Sequence, residues 1–256
     1  MVVTQKLVRR VSMIARHAGM LLMQSFGNRE LRVQEKSGDG LVTSADTAAE
    51  TYIIKELHAL DQTVAFVAEE SGHKGKSDWE WVIDPLDGTS NFVYGIPYFC
   101  VSIALTYHGQ PQLGVIYNPV QRELFWACKN GGAWCGKLPM HVASRSFEKS
   151  LIALSVPYDD RGVDWNGQVR RVSDRAHDVR RMGAAALDLA YVAVGHFDCA
   201  FFQRLSWWDI AAGVLLIQEA GGIVTDFERK PIDKNFISLI AATPTTYEQL
   251  FGLLTE

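Results

Sequence analysis

Two aspartates, Asp84 and Asp87, stand three residues apart at the point where an apolar run ends. A carboxylate at the end of a buried strand needs a compensating positive charge, because removing an unpaired charge from water is costly. The spacing, with Pro85 stiffening the turn, lets both carboxylates converge with the carbonyl of Leu86. Oxygen-only donors of this kind suit Mg²⁺. The segment therefore predicts a metal site, although the same spacing also fits an exposed turn.

Three further acids occupy similar positions. Glu69 and Glu70 follow a second strand-like run, and Asp209 stands near the start of an apolar helical segment. No histidine or cysteine cluster accompanies these acids, so Mg²⁺, Mn²⁺ or Ca²⁺ fits better than zinc. Asp209 also fits the ordinary role of a helix N-cap, and the two glutamates fit an exposed turn.

A glycine, two hydroxyl residues and an amide follow the aspartate pair directly, as Gly88, Thr89, Ser90 and Asn91. Gly88 allows the backbone to approach a ligand closely. The polar residues favour a helix start, where backbone N–H groups can hold a phosphate. Acids for a metal beside N–H groups for a phosphate indicate phosphoryl chemistry, with Thr89 as a simple cap the structural alternative.

The spacing of apolar residues predicts the elements that position these groups. One amphipathic helix covers the N-terminal segment and another runs to about residue 60, where Thr47 and Glu50 have capping-box spacing and place Asp46 at the helix start. Strands are predicted at 63–68, 79–83, 100–107, 113–117, 123–128, 151–156, 197–202 and 223–227. Further helices are predicted around 165–177 and over 183–195, 207–222 and 247–254. Without a regular βαβ period, this order favours a layered α+β fold.

The composition excludes several classes of protein. The chain has 256 residues, 48% of them hydrophobic, and a formal net charge of −4, which gives no general attraction for nucleic acid or anionic membranes. A basic cluster can still attract anions, and it comprises Arg170, Arg171, Arg175, Arg180 and Arg181. The four cysteines form no CxxC pair, which is typical of a reducing compartment. We expect a cytoplasmic protein with no signal peptide, membrane span or main role in nucleic-acid binding.

Five sequence blocks together resemble the inositol monophosphatase family of metal-dependent, lithium-sensitive phosphatases. They are LVTSAD (41–46), AEES (68–71), WVIDPLDGTSNF (81–92), MGAAALDLAYVAVG (182–195) and WWDIAAGVLLIQEAGG (207–222). The resemblance implies an α+β fold, the layered αβαβα sandwich of the inositol monophosphatase and fructose-1,6-bisphosphatase type. It further implies a single domain over 1–256, with two lobes at approximately 1–142 and 143–256, and a homodimer.

The resemblance also assigns roles to the residues of these blocks, around two to three Mg²⁺ ions per active site. Glu69, Asp84 and the Leu86 carbonyl would hold one ion, whereas Asp84, Asp87 and Asp209 would hold another. Glu70 would order the water shell, and Thr89, hydrogen-bonded to Asp46, would orient or activate the attacking water. The catalytic residues would thus be Asp46, Glu69, Glu70 and Thr89. Substrate contacts are implied for Glu69, Leu86, Asp87, Gly88, Thr89, Gly183, Ala184, Ala185, Gln203 and Asp209.

Gln203 departs from the family pattern, which usually places a glutamate after two aromatic residues at this point. An amide can donate as well as accept hydrogen bonds, so the pattern of substrate hydroxyls that it selects can differ. The resemblance implies hydrolysis of a small phosphate monoester by a metal-activated water, with inositol 1-phosphate the leading substrate. Fructose 1,6-bisphosphate, NADP and adenosine 3′,5′-bisphosphate remain alternatives, as does a regulatory protein that acts through a protein or RNA partner.

Overall fold

The computed structural model describes residues 2–28, 32–35, 41–155 and 164–256. The helices within these ranges are α1 (Gln5–Ser25), α2 (Ser44–Leu60), α3 (Thr89–Val93), α4 (Trp165–Ser173), α5 (Ala185–Ala193), α6 (Trp207–Glu219) and α7 (Tyr247–Thr255). The strands are β1 (Val33–Glu35), β2 (Leu41–Thr43), β3 (Ala65–Ala68), β4 (Gly72–Lys74), β5 (Trp79–Asp87), β6 (Cys100–Tyr107), β7 (Gln110–Asn118), β8 (Glu123–Cys128), β9 (Ala133–Cys135), β10 (Leu138–Pro139), β11 (Leu151–Leu154), β12 (Asp178–Arg180), β13 (Cys199–Gln203), β14 (Ile223–Thr225) and β15 (Ser238–Ala242). The predicted strand end at Val156 lies outside the described residues.

A large sheet of eight strands fills the first half of the chain, in the order β10-β9-β8-β7-β6-β5-β3-β4. Its pairs are antiparallel except for β3 beside β5, which run parallel. The strands predicted at 100–107, 113–117 and 123–128 are observed as β6, β7 and β8, which form two consecutive hairpins. Gly109 and Gly132 stand in turns with φ of +73° and +74°, a conformation that glycine adopts at little cost.

A second sheet of five strands forms in the second half, in the order β12-β11-β13-β15-β14. Here β11 runs parallel to both of its neighbours, β12 and β13. The three strands therefore end at the same edge of the sheet. The strand β15, which pairs with β13 and β14, was not predicted from the sequence.

Alternation along the strands divides the apolar residues into three cores. On β5, Trp81 and Ile83 pack with α1 and α2, whereas Val82 packs on the opposite face with α5 and α6. On β13, Phe202 joins the α5–α6 core, and Phe201 packs outward against α4 and α7. Each such buried side chain contributes about 1.5–3 kcal/mol relative to its exposed state. The result is five layers in the order αβαβα, which confirms the predicted fold.

An ion pair between the buried Asp198 and the half-exposed Arg145 fixes the start of β11, whose other end reaches the functional site. Asp198 is fully buried and accepts hydrogen bonds from Arg145 Nε at 2.9 and 3.0 Å and from the Leu151 N–H at 2.9 Å.

None of the helices in the described part of the chain is both long and apolar enough to cross a membrane.

Candidate active site

The predicted metal segment forms an irregular end of β5. Asp84 pairs with Ser102 of β6, and Asp87 pairs with Cys100, so three steps along β5 correspond to two along β6. Such a bulge bends a strand and redirects its side chains. The Asp84 carboxylate accepts the Leu86 N–H at 2.9 Å, which stabilises the turn through Pro85.

This strand end opens into a cavity of about 410 Å³ between the two sheets and the starts of α3, α5 and α6. Most of the residues that the sequence singled out lie together on its walls, although they come from separate parts of the chain. They are Glu69, Asp84, Leu86, Asp87, Gly88, Thr89, Gly183, Ala184, Ala185, Gln203 and Asp209.

Several acids are gathered in this cavity, and their environment raises the pKa of two of them. Burial raises the pKa of Asp84 well above its usual value, and the charges of Glu69, Asp87 and Asp209 raise it further. Burial also raises the pKa of Asp87, to about 7, against the opposing effect of backbone N–H groups. Buried oxygen ligands that repel one another in this way fit a hard divalent cation such as Mg²⁺.

Several of these carboxylate oxygens contact backbone N–H groups in this conformation. Asp87 accepts the Ala185 N–H at 3.1 Å and the Ala186 N–H at 2.7 Å, and Asp209 accepts the Ser206 N–H at 2.7 Å. Accordingly, no three His, Cys, Asp or Glu side chains within the described ranges are arranged to hold one ion by themselves.

The raised pKa values predict that stabilisation by Mg²⁺ grows with pH. Between the ordinary pKa of 3.8 and about 7, folded metal-free protein keeps a proton on Asp87 that the unfolded chain has released. The free energy of unfolding of the metal-free protein therefore falls as pH rises through this window. Mg²⁺ binds the deprotonated carboxylates. We expect saturating Mg²⁺ to raise Tm by about 5 °C or more near pH 8 and by less near pH 5.

Differential scanning fluorimetry with Mg²⁺, and with sodium chloride at equal ionic strength as the control, measures this difference. A gain in Tm that is as large near pH 5 as near pH 8 would contradict the prediction.

Asp87 also connects the two halves of the chain. It lies at the end of β5, yet its carboxylate accepts the first N–H groups of α5, about a hundred residues later in sequence. The N-cap residue of that helix, Ala184, has no side chain that can do this. Asn91 adds a second link, because its amide donates to the carbonyls of Tyr98 and Met182, both at 2.8 Å.

The Thr89 hydroxyl lies within hydrogen-bond distance of two acceptors, Asp46 Oδ1 at 3.2 Å and the Leu86 carbonyl at 3.0 Å. The other carboxylate oxygen of Asp46 accepts the N–H of Thr43 at 2.9 Å and also its hydroxyl. Burial raises the pKa of Asp46, and the hydrogen bonds from Thr43 partly offset this. Asp46 is fully buried, so its orientation toward Thr89 is well defined.

The predicted capping box at Thr47 and Glu50 is wrong. The helix begins earlier, at Ser44, and the capping box joins Thr43 and Asp46. Both pairs have the same spacing, and only Thr43 is the last residue of a strand, β2. Glu50 is instead buried and accepts the Glu70 N–H at 2.8 Å.

Glu70 does not share the cavity of the other acids. It lines a neighbouring cavity, together with Glu50 and other residues of α2 and with Phe66 of β3. The role of Glu70 in ordering the water shell remains a prediction. Glu69 faces the first cavity and hydrogen bonds with Asp84.

Gly88 permits the close approach of three segments at the cavity. Its φ is +94°, and a Cβ atom would lie 3.0 Å from the Tyr98 carbonyl, 3.1 Å from the Ala184 Cβ and 3.2 Å from the Phe99 Cβ. Both the backbone conformation and the space therefore require glycine. The Gly88 backbone consequently lies directly against the start of α5.

Gln203 lines the cavity at the end of β13, but its amide is already engaged. It is buried, and its Nε2 donates to Gln168 Oε1 at 2.8 Å; Gln168 in turn donates to the Leu254 carbonyl at 2.9 Å. This contact with α4 limits the freedom of Gln203 to turn toward a substrate alcohol.

The sequence did not single out several polar residues of the cavity as site residues, among them Ser155, Arg181, Asp188 and Arg204. Arg181 belonged only to the basic cluster. Asp188 is buried in α5 and accepts the Tyr98 hydroxyl at 2.6 Å, and burial raises its pKa. Ser155 and Arg181 directly follow β11 and β12. The sequence carried no signal for either residue, because Ser155 falls inside the strand predicted at 151–156 and β12 was not predicted.

Comparison with known proteins gives consistent results. A model of the inositol monophosphatase family matches residues 5–256. An inositol-1-monophosphatase of Mesorhizobium japonicum is 43% identical over 84% of this chain and 83% of its own, and the Nus factor SuhB of Pseudomonas aeruginosa is 41% identical over 83% and 82%. The crystal structure of the extragenic suppressor protein suhB from Bartonella henselae superposes with a TM-score of 0.95 at 36% identity, covering 98% of this chain and 99% of that one.

Proposed function

The chain belongs to the inositol monophosphatase family, and from this we propose that it hydrolyses inositol 1-phosphate to inositol and phosphate in the presence of Mg²⁺. The observation that carries the proposal is a single cavity that contains Glu69, Asp84, Asp87 and Asp209 beside the Thr89 hydroxyl. Oxygen ligands for a divalent ion and a positioned hydroxyl are what water attack on a phosphate ester requires.

The metal ligands in this proposal are Glu69, Asp84, the Leu86 carbonyl, Asp87 and Asp209, for two to three ions. When bound, Mg²⁺ supplies the positive charge that neutralises the phosphate and activates water. The chain itself must position the phosphate. We assign the backbone N–H groups of Gly88 and Thr89 to the phosphoryl oxygens. Gly88 lies directly against the start of α5.

Thr89 and Asp46 provide the route for a proton in this mechanism. The Thr89 hydroxyl hydrogen is directed to Asp46 Oδ1 or to the Leu86 carbonyl, which leaves a lone pair of Oγ1 to accept a hydrogen bond from the attacking water. As the water oxygen bonds to phosphorus, its proton moves to Thr89 Oγ1 and the Thr89 proton moves toward Asp46. The bond from phosphorus to the inositol oxygen breaks, and that oxygen takes up a proton from solvent and leaves as the alcohol. The raised pKa of Asp46 makes it a stronger base than an exposed aspartate.

Phosphate release tests this function. We expect Mg²⁺-dependent release from inositol 1-phosphate, with glycerol 2-phosphate, fructose 1,6-bisphosphate, NADP and adenosine 3′,5′-bisphosphate as comparison substrates and a chelator as the control. Absence of metal-dependent release from every one of these esters would refute the proposal.

A second candidate function is regulatory, through a protein or RNA partner. Relatives of similar identity carry the name Nus factor SuhB, which is the observation in its favour. The basic cluster supports it less, because three of its five arginines pair with nearby acids: Arg170 with Asp174, Arg171 with Asp164, and Arg180 with Asp178.

We also propose a homodimer and a cytoplasmic location. Tyr94 and Ile96 are apolar and 79% and 49% exposed, as expected of residues that a second copy covers. All four cysteines are free thiols, which suits a reducing compartment. The division into lobes at 1–142 and 143–256 likewise remains a prediction.

A further inference from the structure

A chain of buried hydrogen bonds leads from Gln203 away from the cavity. Gln203 Nε2 donates to Oε1 of Gln168 in α4 at 2.8 Å, and Nε2 of Gln168 donates to the backbone carbonyl of Leu254 in α7 at 2.9 Å. Gln203 and Gln168 are only 4% and 7% exposed, and Gln203 lines the active-site cavity. These three groups form a glutamine relay, which connects the cavity wall to the two helices on the outer face of the five-stranded sheet.

The last member of the relay fixes the direction of its hydrogen bonds. A backbone carbonyl can only accept, so Gln168 must turn its NH₂ group to Leu254. The carbonyl oxygen of Gln168 then faces Gln203, which can donate to it only through its own NH₂ group. Reversal of either amide would place two oxygen acceptors opposite each other. The orientation of both amides therefore follows from Leu254, and Oε1 is the atom of Gln203 that remains for a ligand in the cavity.

The packing of α4 holds the relay in place. The ring of Trp165, at the start of α4, lies 5.3 Å from the ring of Phe201 on β13. Nε of Arg171, also in α4, donates to the Leu253 carbonyl at 2.8 Å, so two consecutive carbonyls at the end of α7 accept hydrogen bonds from α4. Buried polar groups that pair in this way specify one side-chain arrangement. Gln203 consequently cannot turn its NH₂ group to the cavity without breaking a buried hydrogen bond.

We propose that Gln168 is a positioning residue for recognition of the leaving alcohol, and that it makes Gln203 a hydrogen-bond acceptor only. The inference rests on the proposed function and concerns how that site selects its alcohol. An alcohol with a hydroxyl group opposite Gln203 donates to Oε1, whereas one with an oxo, ether or methylene group there does not. A site built to pair with a hydroxyl discriminates strongly against analogues that lack it. Gln168 lies outside the sequence blocks that resemble the family.

Two substitutions of Gln168 separate the orientation of Gln203 from stability. Gln168→Met keeps a similar length but offers only a weak acceptor, whereas Gln168→Glu keeps an oxygen acceptor for the Gln203 NH₂ group. Both variants alter the contact with Leu254, so a loss of stability alone would affect both. The readout is the ratio of kcat/KM for inositol 1-phosphate to kcat/KM for cyclohexyl phosphate, which has a six-membered ring without hydroxyl groups.

We expect Gln168→Met to lower this ratio by about fivefold, mainly by raising KM for inositol 1-phosphate. Gln168→Glu should keep the ratio within about twofold of the wild type even where its Tm falls. Arg170→Gln, at an 84% exposed side chain of the same helix, is the matched control and should also keep the ratio within about twofold. An unchanged ratio in Gln168→Met, or equal losses in Gln168→Met and Gln168→Glu, would overturn the inference.

A double-mutant cycle tests whether Gln168 acts through Gln203. Gln203→Leu removes the amide and should lower the same ratio by about tenfold. Gln168→Met should lower it no further in the Gln203→Leu background, because no amide is left to orient. A further fall in the double variant, or an unchanged ratio in Gln203→Leu, would refute the assignment. Gln168→Asn, whose side chain is too short to span the relay, replaces Gln168→Met in both tests if that variant does not fold.

A binding measurement separates this inference from the proposed function. With Mg²⁺ and inorganic phosphate saturating the metal end, isothermal titration calorimetry measures the Kd of inositol. We expect Gln168→Met to raise this Kd by about fivefold and Gln168→Glu to leave it within about twofold. If no ester is hydrolysed, the proposed function fails, and this comparison still decides whether the relay positions Gln203. Equal Kd values for the wild type and Gln168→Met, or no binding of inositol, would refute the relay whatever the activity.

Discussion

Asp84→Asn is expected to lower kcat for inositol 1-phosphate by about 10³-fold or more, because several kcal/mol of electrostatic stabilisation depends on bound cations. Asp84 is buried at the centre of the acids, with Glu69, Asp87 and Asp209 acting on its charge, and the proposal gives it a role toward two ions at once. A neutral amide at this position would weaken the binding of both ions. Phosphate release at saturating Mg²⁺ measures the effect, and Asp78→Asn, at an exposed aspartate away from the cavity, is the control.

Loss of activity in Asp84→Asn must be distinguished from loss of folding. Burial raises the pKa of Asp84, and repulsion by the neighbouring acids raises it further, whereas an amide has no charge to bury or to repel. The metal-free variant should therefore unfold at a higher temperature than the metal-free wild type, as is common when a strained functional residue is replaced. An inactive variant that also unfolds at a lower temperature would speak against the metal role.

The same variant separates the enzymatic function from the regulatory alternative. A protein that acts mainly through a partner should keep its role in the cell when Asp84→Asn abolishes hydrolysis. An enzyme should lose that role in proportion to its activity.

Thr89→Ala is expected to reduce kcat by about 10²- to 10³-fold, the usual range for loss of an acid–base group. The substitution removes the hydroxyl that contacts Asp46 and the Leu86 carbonyl, so the water loses its proton acceptor. The metal ligands are unchanged, and the Mg²⁺ concentration for half-maximal activity should stay within about twofold.

Thr89→Ser is the matched control because it keeps the hydroxyl and removes only a methyl group. It should retain most of the activity. Equal losses of kcat in Thr89→Ala and Thr89→Ser would show that the methyl packing, and not the proton route, determines the rate.

The sequence predicted the elements whose pattern is local. The hairpins from β6 to β8 alternate regularly and have glycines at their turns, so their bounds were close to those observed. The strand β5 was predicted to end at Ile83, but it continues through the bulge to Asp87, because pairing with β6 resumes beyond Pro85. The strand β15 was missed because its apolar run is short and does not alternate between apolar and polar residues.

Within the site, residues that belong to a sequence motif were easier to identify than cavity-lining residues that lie outside the motifs. The acids and the Gly88–Thr89 turn lie in blocks that resemble a family. Ser155 and Arg181 lie outside these sequence blocks. They line the cavity because β11 and β12, which they follow, lie side by side. The prediction for Gln203 was incomplete for the same reason, since its partner Gln168 comes from α4.

The hydrogen bonds that Asp87 accepts from the first N–H groups of α5 have a consequence for folding cooperativity. An end of the large sheet supplies the cap that α5 lacks in its own sequence. When the second half of the chain unfolds, Asp87 loses these donors, and when the first half unfolds, α5 loses its cap. Separation of the halves is therefore unfavourable for both, and the site where they meet holds the molecule together as one cooperative unit.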